Sequence, residues 1–178
     1  MESYQRGTWR GTKYPRIAAA LLLASSLLLA GCGTPFPADP SGTLERVTEG
    51  TLRVGASANR DWVRISSGNG SGVRDEDVQG SEAELVRRFA SKLGAGIEWV
   101  SGTEYVLAED LKRGNLDLVI GGLDDKTPWA THAGLSRAYA ESRDSHGSLH
   151  RHVMLVPMGE NAFLLELDRF LMDAKESR

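Results

Sequence analysis

The residue whose chemistry is most sharply defined by its neighbours is Cys32, the only cysteine among the 178 residues. A single cysteine excludes an internal disulfide and every metal site that needs several thiolates. Four cationic side chains and one acid lie in the first sixteen positions, and the uncharged run 17–30 follows them. This run fits the apolar region of a secretory signal peptide, whereas a helix that spans a bilayer needs about 20 residues.

The end of this run, Leu29-Ala-Gly-Cys32, resembles the bacterial lipobox without departure. The resemblance implies diacylglyceryl transfer to Cys32, cleavage before it, and an acylated mature N-terminus that can carry groups such as palmitate. The alternative is an ordinary signal peptide, or a buried start of the fold, with an incidental cysteine. We expect 1–31 to be the signal peptide and 32–42 to be the acylated cysteine with a flexible, Pro-rich tether. The protein would then be extracytoplasmic and held at the membrane through Cys32, and two or more acyl chains would anchor it stably.

A second group of chemistry-bearing residues lies in three segments, 57–62, 101–103 and 121–129, each of which follows a β-rich run. The carboxyl ends of parallel strands meet at one edge of a sheet, where open α/β sheets bind ligands. The segments supply tryptophans, hydroxyls and cations. Candidate ligand-binding residues at this edge are Trp62, Gly122, Asp124, Lys126, Thr127 and Trp129. For the two tryptophans, a packing role is an equally good interpretation.

Three histidines, His146, His150 and His152, lie near Asp144, but their spacing fits no common metal-binding template. No nucleophile–base pair, carboxylate pair or Gly-x-Ser-x-Gly motif stands out, so we expect no metal, no cofactor and no enzymatic activity. A net charge of −3 and a pI near 5.8 argue against a nucleic-acid partner. The run 68–72 lacks the lysine of a phosphate-binding loop and is predicted to be a turn.

The elements that must position these residues alternate along the chain. Strands are predicted at 51–56, 97–100, 116–120 and 153–156. A capping box at Ser81–Glu84 opens a helix whose apolar face ends before Gly94, and a second helix runs from Thr103 to Gly114. A last helix is predicted from the apolar spacing over 163–171. Alternating strands and helices predict an α/β fold with a mostly parallel sheet and right-handed crossovers.

The order of these pieces resembles bacterial extracellular solute-binding proteins of the polar-amino-acid type, which serve ABC importers. Residues 43–140 carry the resemblance, chiefly through Leu52–Gly55, Gly80–Ala90 and Gly114–Leu123, and the tail 152–170 resembles the segment that returns to the first lobe. The resemblance implies a periplasmic-binding-protein-like fold, a small polar solute such as an amino acid as the ligand, and an ABC permease or another envelope protein as the partner.

The chain departs from this family in the segment where the family has its second lobe. The family has two lobes, but only the 12 residues from Ala140 to Arg151 separate the first-lobe elements from the return strand. A single strand–helix–strand crossover already needs a dozen or more residues. We therefore expect a single lobe over 43–178. It would comprise first-lobe elements at 43–140, a polar loop at 141–151 in place of the second lobe, and the return strand and helix at 152–174.

A second departure lies in the loop that follows the third strand. The family usually has a threonine where this chain has Asp124, and an arginine, which pairs with the ligand's carboxylate, where this chain has Trp129. An indole cannot make the bidentate pair of a guanidinium, and Asp124 would repel the same carboxylate. Lys126 offers a cation without the planar fork.

These features together indicate an exported, lipid-anchored, substrate-binding-like protein related to the binding proteins of amino-acid ABC transporters, with weak or lost ligand binding. The alternative is a lipid-anchored envelope interaction protein with a vestigial ligand groove.

Overall fold

The computed structural model describes residues 37–66 and 70–176. The signal-peptide and lipobox predictions, including Cys32, lie outside these residues, as do Gly68 and Asn69. The strands are β1 (Thr51–Ala56), β2 (Arg64–Ile65), β3 (Gly70–Val73), β4 (Val78–Gln79), β5 (Gly96–Ser101), β6 (Leu118–Ile120), β7 (Ala133–Leu135), β8 (Ala140–Arg143), β9 (Leu149–His152) and β10 (Leu155–Pro157). The helices are α1 (Thr43–Val47), α2 (Ser81–Leu93), α3 (Glu104–Lys112) and α4 (Asn161–Glu176), with 3₁₀ turns at Asp75–Asp77 and Pro128–Thr131.

The main sheet has six strands in the order β3-β5-β1-β6-β10-β7. The central strand β1 is parallel to both β5 and β6, while β3 and β10 are antiparallel to their neighbours. Strands β1, β5, β6 and β7 therefore point the same way. The predicted α/β class with a mostly parallel sheet is confirmed. The antiparallel strands border the parallel centre, and β7 was not predicted because three residues carry no readable alternation.

Helices cover both faces of this sheet. The alternation of β1 sends Leu52, Val54 and Ala56 into a first core cluster, in which Phe89 of α2 meets Phe163 of α4 at 5.8 Å between ring centroids. A second core cluster lies on the other face against α3. It consists of Leu107, Leu111, Leu116, Val119, Leu123, Ala133, Val153 and Leu155. The chain thus buries apolar residues on both sides of its parallel strands, as this class requires.

Helix α2 begins differently from the prediction. Its N-cap is Gly80, with no side-chain cap, and Ser81 already lies in the helix. The carbonyl of Trp62 accepts a hydrogen bond from the amide of Glu82 at 3.3 Å. It thereby satisfies one of the first-turn amides that a capping side chain would otherwise bind. A Cβ at Gly80 would collide with that carbonyl, which explains the glycine. The capping-box prediction is therefore wrong, and Glu84 is exposed.

The other helix ends follow the sequence signals. The side chain of Thr103 accepts from the amide of Val106 at 3.5 Å and caps α3. Gly94 ends α2 in the left-handed conformation, with φ 65°. Within residues 37–66 and 70–176, no helix has both the length and the apolar character that crossing a membrane requires.

The segment 141–151 is not an irregular loop. Strands β8 and β9 pair in an antiparallel hairpin, with Ala140 opposite His152 and Arg143 opposite Leu149. We call residues 140–152 the hairpin. The predicted turn at 68–72 also differs, since Gly70–Val73 is an edge strand paired with β5.

The N-terminal part of the described chain is bonded to the rest. The carbonyl of Ala38 accepts from the amides of Asn161 and Ala162 at 2.8 and 3.2 Å. Asp117, fully buried just before β6, binds Arg46 of α1 and Arg53 of β1, each at 2.6 Å. From residue 38 onward the chain is therefore bonded to the domain, whereas the sequence predicts a flexible tether as far as residue 42.

Candidate functional site

The carboxyl ends of β1 and β6 bring two of the predicted segments together. We call residues 121–127 the glycine loop. The amide of Ser57 donates to the carbonyl of Ile120 at 2.9 Å, and Asn59 Nδ2 donates to the carbonyl of Gly121 at 3.1 Å. A Cβ at Gly122, where φ is 69°, would lie 2.6 Å from Asn59 Nδ2 and would collide with the Trp62 ring. Gly122 and Trp62, both predicted site residues, are therefore in contact.

The glycine loop is bound by a buried carboxylate that the sequence analysis did not predict. The Glu82 side chain, in the first turn of α2, is fully buried. Its Oε2 accepts from the amides of Gly121 and Gly122 at 2.8 and 2.9 Å, and its Oε1 accepts from the Tyr139 hydroxyl. Burial raises the pKa of Glu82 to about 7, and the three hydrogen bonds counteract part of this rise.

A signal for Glu82 was present in the sequence. Glu82 stands three, four and seven residues before Leu85, Val86 and Phe89, so it lies on the apolar face of its own helix. An acid on an apolar face is buried with donors around it or is functional, since an unpaired buried charge is costly.

The hairpin packs against the glycine loop. The amide of Val153 donates to the carbonyl of Leu123, and the amide of Asp125 donates to the carbonyl of Arg151, both at 2.9 Å. An isolated β-bridge joins Asp124 and His152. Residues 151–153, where the return segment begins, therefore make backbone contacts with this side of the glycine loop.

His152 is buried at the centre of this contact. Its ring lies 4.0 Å from that of Trp62, with an angle of 37° between the ring planes. Its Nδ1 lies 3.2 Å from the carbonyl of Gly122, and its Nε2 lies 2.7 Å from Ser142 Oγ. Because a carbonyl only accepts, Nδ1 carries a proton in this arrangement. The imidazole thus joins the hairpin, the loop and the tryptophan.

Asp124 is paired rather than free. Its Oδ2 lies 2.7 Å from His150 Nδ1, and its Oδ1 accepts from the amide of Lys126 at 2.9 Å. The hydrogen bond from His150 is the largest effect that lowers the pKa of Asp124. In turn, bonds to Asp124 and to Asp144, 3.6 Å from Nε2, raise the pKa of His150. The charge that would repel a ligand carboxylate is offset while His150 is protonated.

The side chains of the other predicted site residues have different surroundings. Lys126 is exposed, and Thr127 is buried. Trp129 packs against the second core cluster and lies 5.8 Å from the Tyr105 ring, whereas Trp62 packs against the first cluster. The two tryptophans therefore do not form one platform. Within the described chain, Thr127 Oγ1 and Trp129 Nε1 are buried without a hydrogen-bond partner.

The histidines do not converge. His146 is exposed at the tip of the hairpin, His150 faces the two aspartates, and His152 faces Trp62. No group of three histidine, cysteine or acidic side chains among residues 37–66 and 70–176 is arranged to hold a metal ion.

The similarity of this chain to known proteins lies in the fold. No family model matches it, and no curated protein matches it. A point mutant of domain 1 of the protein TmArgBP, in its arginine-bound form, is 21% identical, with a TM-score of 0.59, covering 75% of this chain and 98% of that one. An ancestral cationic amino acid solute-binding protein, AncCDT-1, is 13% identical with a TM-score of 0.62, covering 76% and 94%.

Two further solved structures extend this comparison. The L-cystine solute receptor of Neisseria gonorrhoeae, in its unliganded open conformation, is 12% identical with a TM-score of 0.61, covering 76% of this chain and 92% of that one. A variant of an ancestral cyclohexadienyl dehydratase is 15% identical with a TM-score of 0.56, covering 75% and 90%. The chain therefore has the fold of a periplasmic-binding-protein-like lobe, and its resemblance to amino-acid solute-binding proteins is confirmed at the level of the fold.

Proposed function

We propose that this chain is an exported, lipid-anchored single lobe related to the amino-acid-binding proteins of ABC importers, and that it binds free amino acids weakly or not at all. The observation that carries the proposal is the state of the glycine loop, where the amides of Gly121 and Gly122 and the carbonyls of residues 121 to 123 are already bonded within the chain. The lipobox at Leu29–Cys32 supports the anchor, and the fold supports the relationship.

Five backbone groups at the start of this loop already have a partner within the chain. The amides of Gly121 and Gly122 donate to Glu82. The carbonyls at 121, 122 and 123 accept from Asn59, His152 and Val153. A solute must displace such bonds, and exchanging one hydrogen bond for another gives a net gain of only about 1 kcal/mol or less. Millimolar affinity already requires about 4 kcal/mol.

The proposed single lobe also limits how tightly a solute can be held. Two lobes bury a ligand on both sides and exclude water, which strengthens each polar contact. A single lobe leaves one side of the ligand wet. The arginine that would grip a carboxylate is replaced by Trp129, whose ring is used in packing against Tyr105. Any remaining preference should favour cationic or neutral solutes over acidic ones, because Trp129 cannot make the bidentate pair with a carboxylate that an arginine makes.

The proposal assigns no catalysis to this lobe. Ser142 and His152 form a hydroxyl–imidazole pair at 2.7 Å, which is the geometry of a nucleophile and its base. However, Nδ1 of this imidazole faces the carbonyl of Gly122 rather than a carboxylate. A carboxylate is what stabilises the imidazolium in a hydrolytic triad.

Two measurements test the proposal. The first is flotation of the protein with membranes, together with mass analysis of its N-terminal peptide. We expect an acylated Cys32 and release or incomplete processing of Cys32→Ala, and a wholly soluble wild type with residues 1–31 intact would contradict the anchor. The second is calorimetric titration of the mature protein with arginine, glutamine and glutamate. We expect no affinity better than millimolar, and micromolar binding of glutamate would contradict the proposal.

A second candidate function is that of an envelope interaction protein. Tyr105 and Val106, in the first turn of α3, are 63% and 50% exposed, and Trp129 lies beside Tyr105. Aromatic side chains such as those of Tyr105 and Trp129 are enriched at protein–protein interfaces. A photo-crosslinking residue at position 105 should then capture one defined envelope protein in living cells, while the same residue at the exposed Lys175 should not. Equal labelling from both positions would contradict this function.

A further inference from the structure

The last residues of the predicted tether, from residue 38 onward, are bonded tightly to the rest of the domain. The Glu160 carboxylate, almost fully buried, accepts from the amides of Ser41 and Thr43 at 2.9 and 3.0 Å. The Asp39 carboxylate accepts from the amide of Leu44 at 2.7 Å. Together with the bonds to the carbonyl of Ala38, these contacts hold the chain against α4 from residue 38 onward.

This attachment lies at the edge of the sheet opposite the glycine loop. Strand β10 is antiparallel to β6, so its last residue, Pro157, lies where β6 begins. Pro157, Ser41 and the buried Asp117 line one cavity of about 200 Å³. The glycine loop follows the other end of β6. The chain therefore enters the domain at the amino-terminal edge of the parallel strands.

The surface around this entry combines an exposed apolar side chain with exposed cations. A cavity of about 240 Å³ is lined in part by Ser41, Lys112, Arg113, His132 and Met158, which we call the tether face. Met158 is 57% exposed. Arg113 lies 3.5 Å from Glu109 and 3.9 Å from Asp110, whereas Lys112 makes no ion pair within the described residues.

The length of the tether limits how far this face can be from the anchor. Ala38 follows Cys32 by six residues. A fully extended chain of six residues spans roughly 20 Å. An acylated Cys32 has its acyl chains in the bilayer, so the point where the chain joins the domain must lie within that distance of the lipid surface.

We propose that the tether face lies against the lipid headgroup layer and that the glycine loop and hairpin face away from the membrane. This inference rests on the lipid anchor proposed above. The occupant is the membrane surface itself, because the short tether brings it there. Lysine and arginine near a bilayer are attracted to anionic lipids, and an exposed methionine can enter the apolar interface. Because the tether already holds this face near the bilayer, the face needs no strong affinity for lipid.

The experiment uses the fact that the chain has one cysteine, which acylation consumes. Met158→Cys and, as the matched control at the hairpin tip, Ser145→Cys each give one labelling site at an exposed position. The acylated, full mature proteins are labelled with bimane and placed in vesicles of phosphatidylethanolamine and phosphatidylglycerol, 3:1. These vesicles contain a lipid with a spin label on its headgroup, which quenches nearby dye.

We expect at least twofold stronger quenching at position 158 than at position 145, and weaker quenching at 158 when Lys112→Glu is added. Equal quenching at the two positions, or stronger quenching at 145, would overturn the orientation. Flotation of the same samples separates the two proposals. If the labelled proteins do not float, the lipid anchor and the orientation both fail; if they float with equal quenching, only the orientation fails.

Discussion

Replacing Glu82 by glutamine should remove a pH dependence from the stability of the domain. Glu82 is buried with three donors around it, and its pKa is raised from 4.5 to about 7. Glutamine has nearly the shape of the protonated acid. Its carbonyl oxygen can accept from Gly121 and Gly122, and its amide can donate to the oxygen of Tyr139. The variant therefore mimics the protonated state at every pH.

The sign follows from linkage. A carboxyl group whose pKa is higher in the folded state binds its proton more tightly there than in the unfolded chain. Below pH 4.5 both states are protonated, and above pH 7 both are ionised. Between these limits the folded wild type loses stability as pH rises. The rise in pKa of about 2.5 units corresponds to about 3 kcal/mol, at 1.36 kcal/mol per unit.

The assay is urea unfolding of the wild type and Glu82→Gln from pH 5 to pH 8, followed by tryptophan emission. Other titrating groups, His150 among them, are shared by both proteins and cancel in the difference. We expect the wild type to lose up to about 3 kcal/mol relative to the variant as pH rises through this range. Glu84→Gln, an exposed change in the same helix turn, should leave the pH dependence unchanged. Parallel curves for the wild type and Glu82→Gln would refute the reasoning.

Three further predictions address the loop, the tail and the hairpin. Gly122→Ala should lower the free energy of unfolding in urea by more than about 2 kcal/mol, because it adds a clash with Trp62 to a strained φ. Gly147→Ala, at φ 82° with open space around it, should lower it by only about 1 kcal/mol. Equal losses in the two variants would contradict the clash. A 43–139 fragment loses the fully buried Phe163 and Leu167 and should show no cooperative melt, unlike 43–178; equal melting temperatures would contradict a core role for the tail. The raised pKa of His150 means that its pairing with Asp124 stabilises the fold fully below pH 6.5 and is lost as pH rises through the folded value. His150→Asn should therefore remove any shift of the Asp124 amide resonance between pH 6 and 8, and an unchanged titration would contradict the pairing.

The sequence predicts the parallel centre of this fold because its elements are strongly periodic. β1 alternates into one core cluster, and α2 carries its apolar residues on one face, with Gly94 at its end. These local signals agree with the tertiary contacts. The sequence does not predict the α2 N-terminus correctly, because the carbonyl of Trp62, which lies 20 positions earlier, binds an amide that a capping side chain would otherwise bind.

The hairpin and the loop contacts had no local signal. Residues 140–152 carry charges and histidines without apolar alternation, so their strands are held by backbone pairs and by contacts to the glycine loop. The pair between His150 and Asp124 joins residues 26 positions apart, which no spacing rule anticipates. The edge that binds ligands in such sheets was predictable from strand order. The hydrogen bonds within that edge join residues far apart in the sequence, so they could not be predicted from local patterns.

The most direct test of the central claim is the amide spectrum of Gly121 and Gly122 in the mature protein, labelled with ¹⁵N, during titration with arginine, glutamine and glutamate to 10 mM. If both amides are held by Glu82, as the structure shows, their resonances should not move, and their hydrogen exchange should stay slow with or without solute. Saturable shifts of both resonances at micromolar solute would contradict the account.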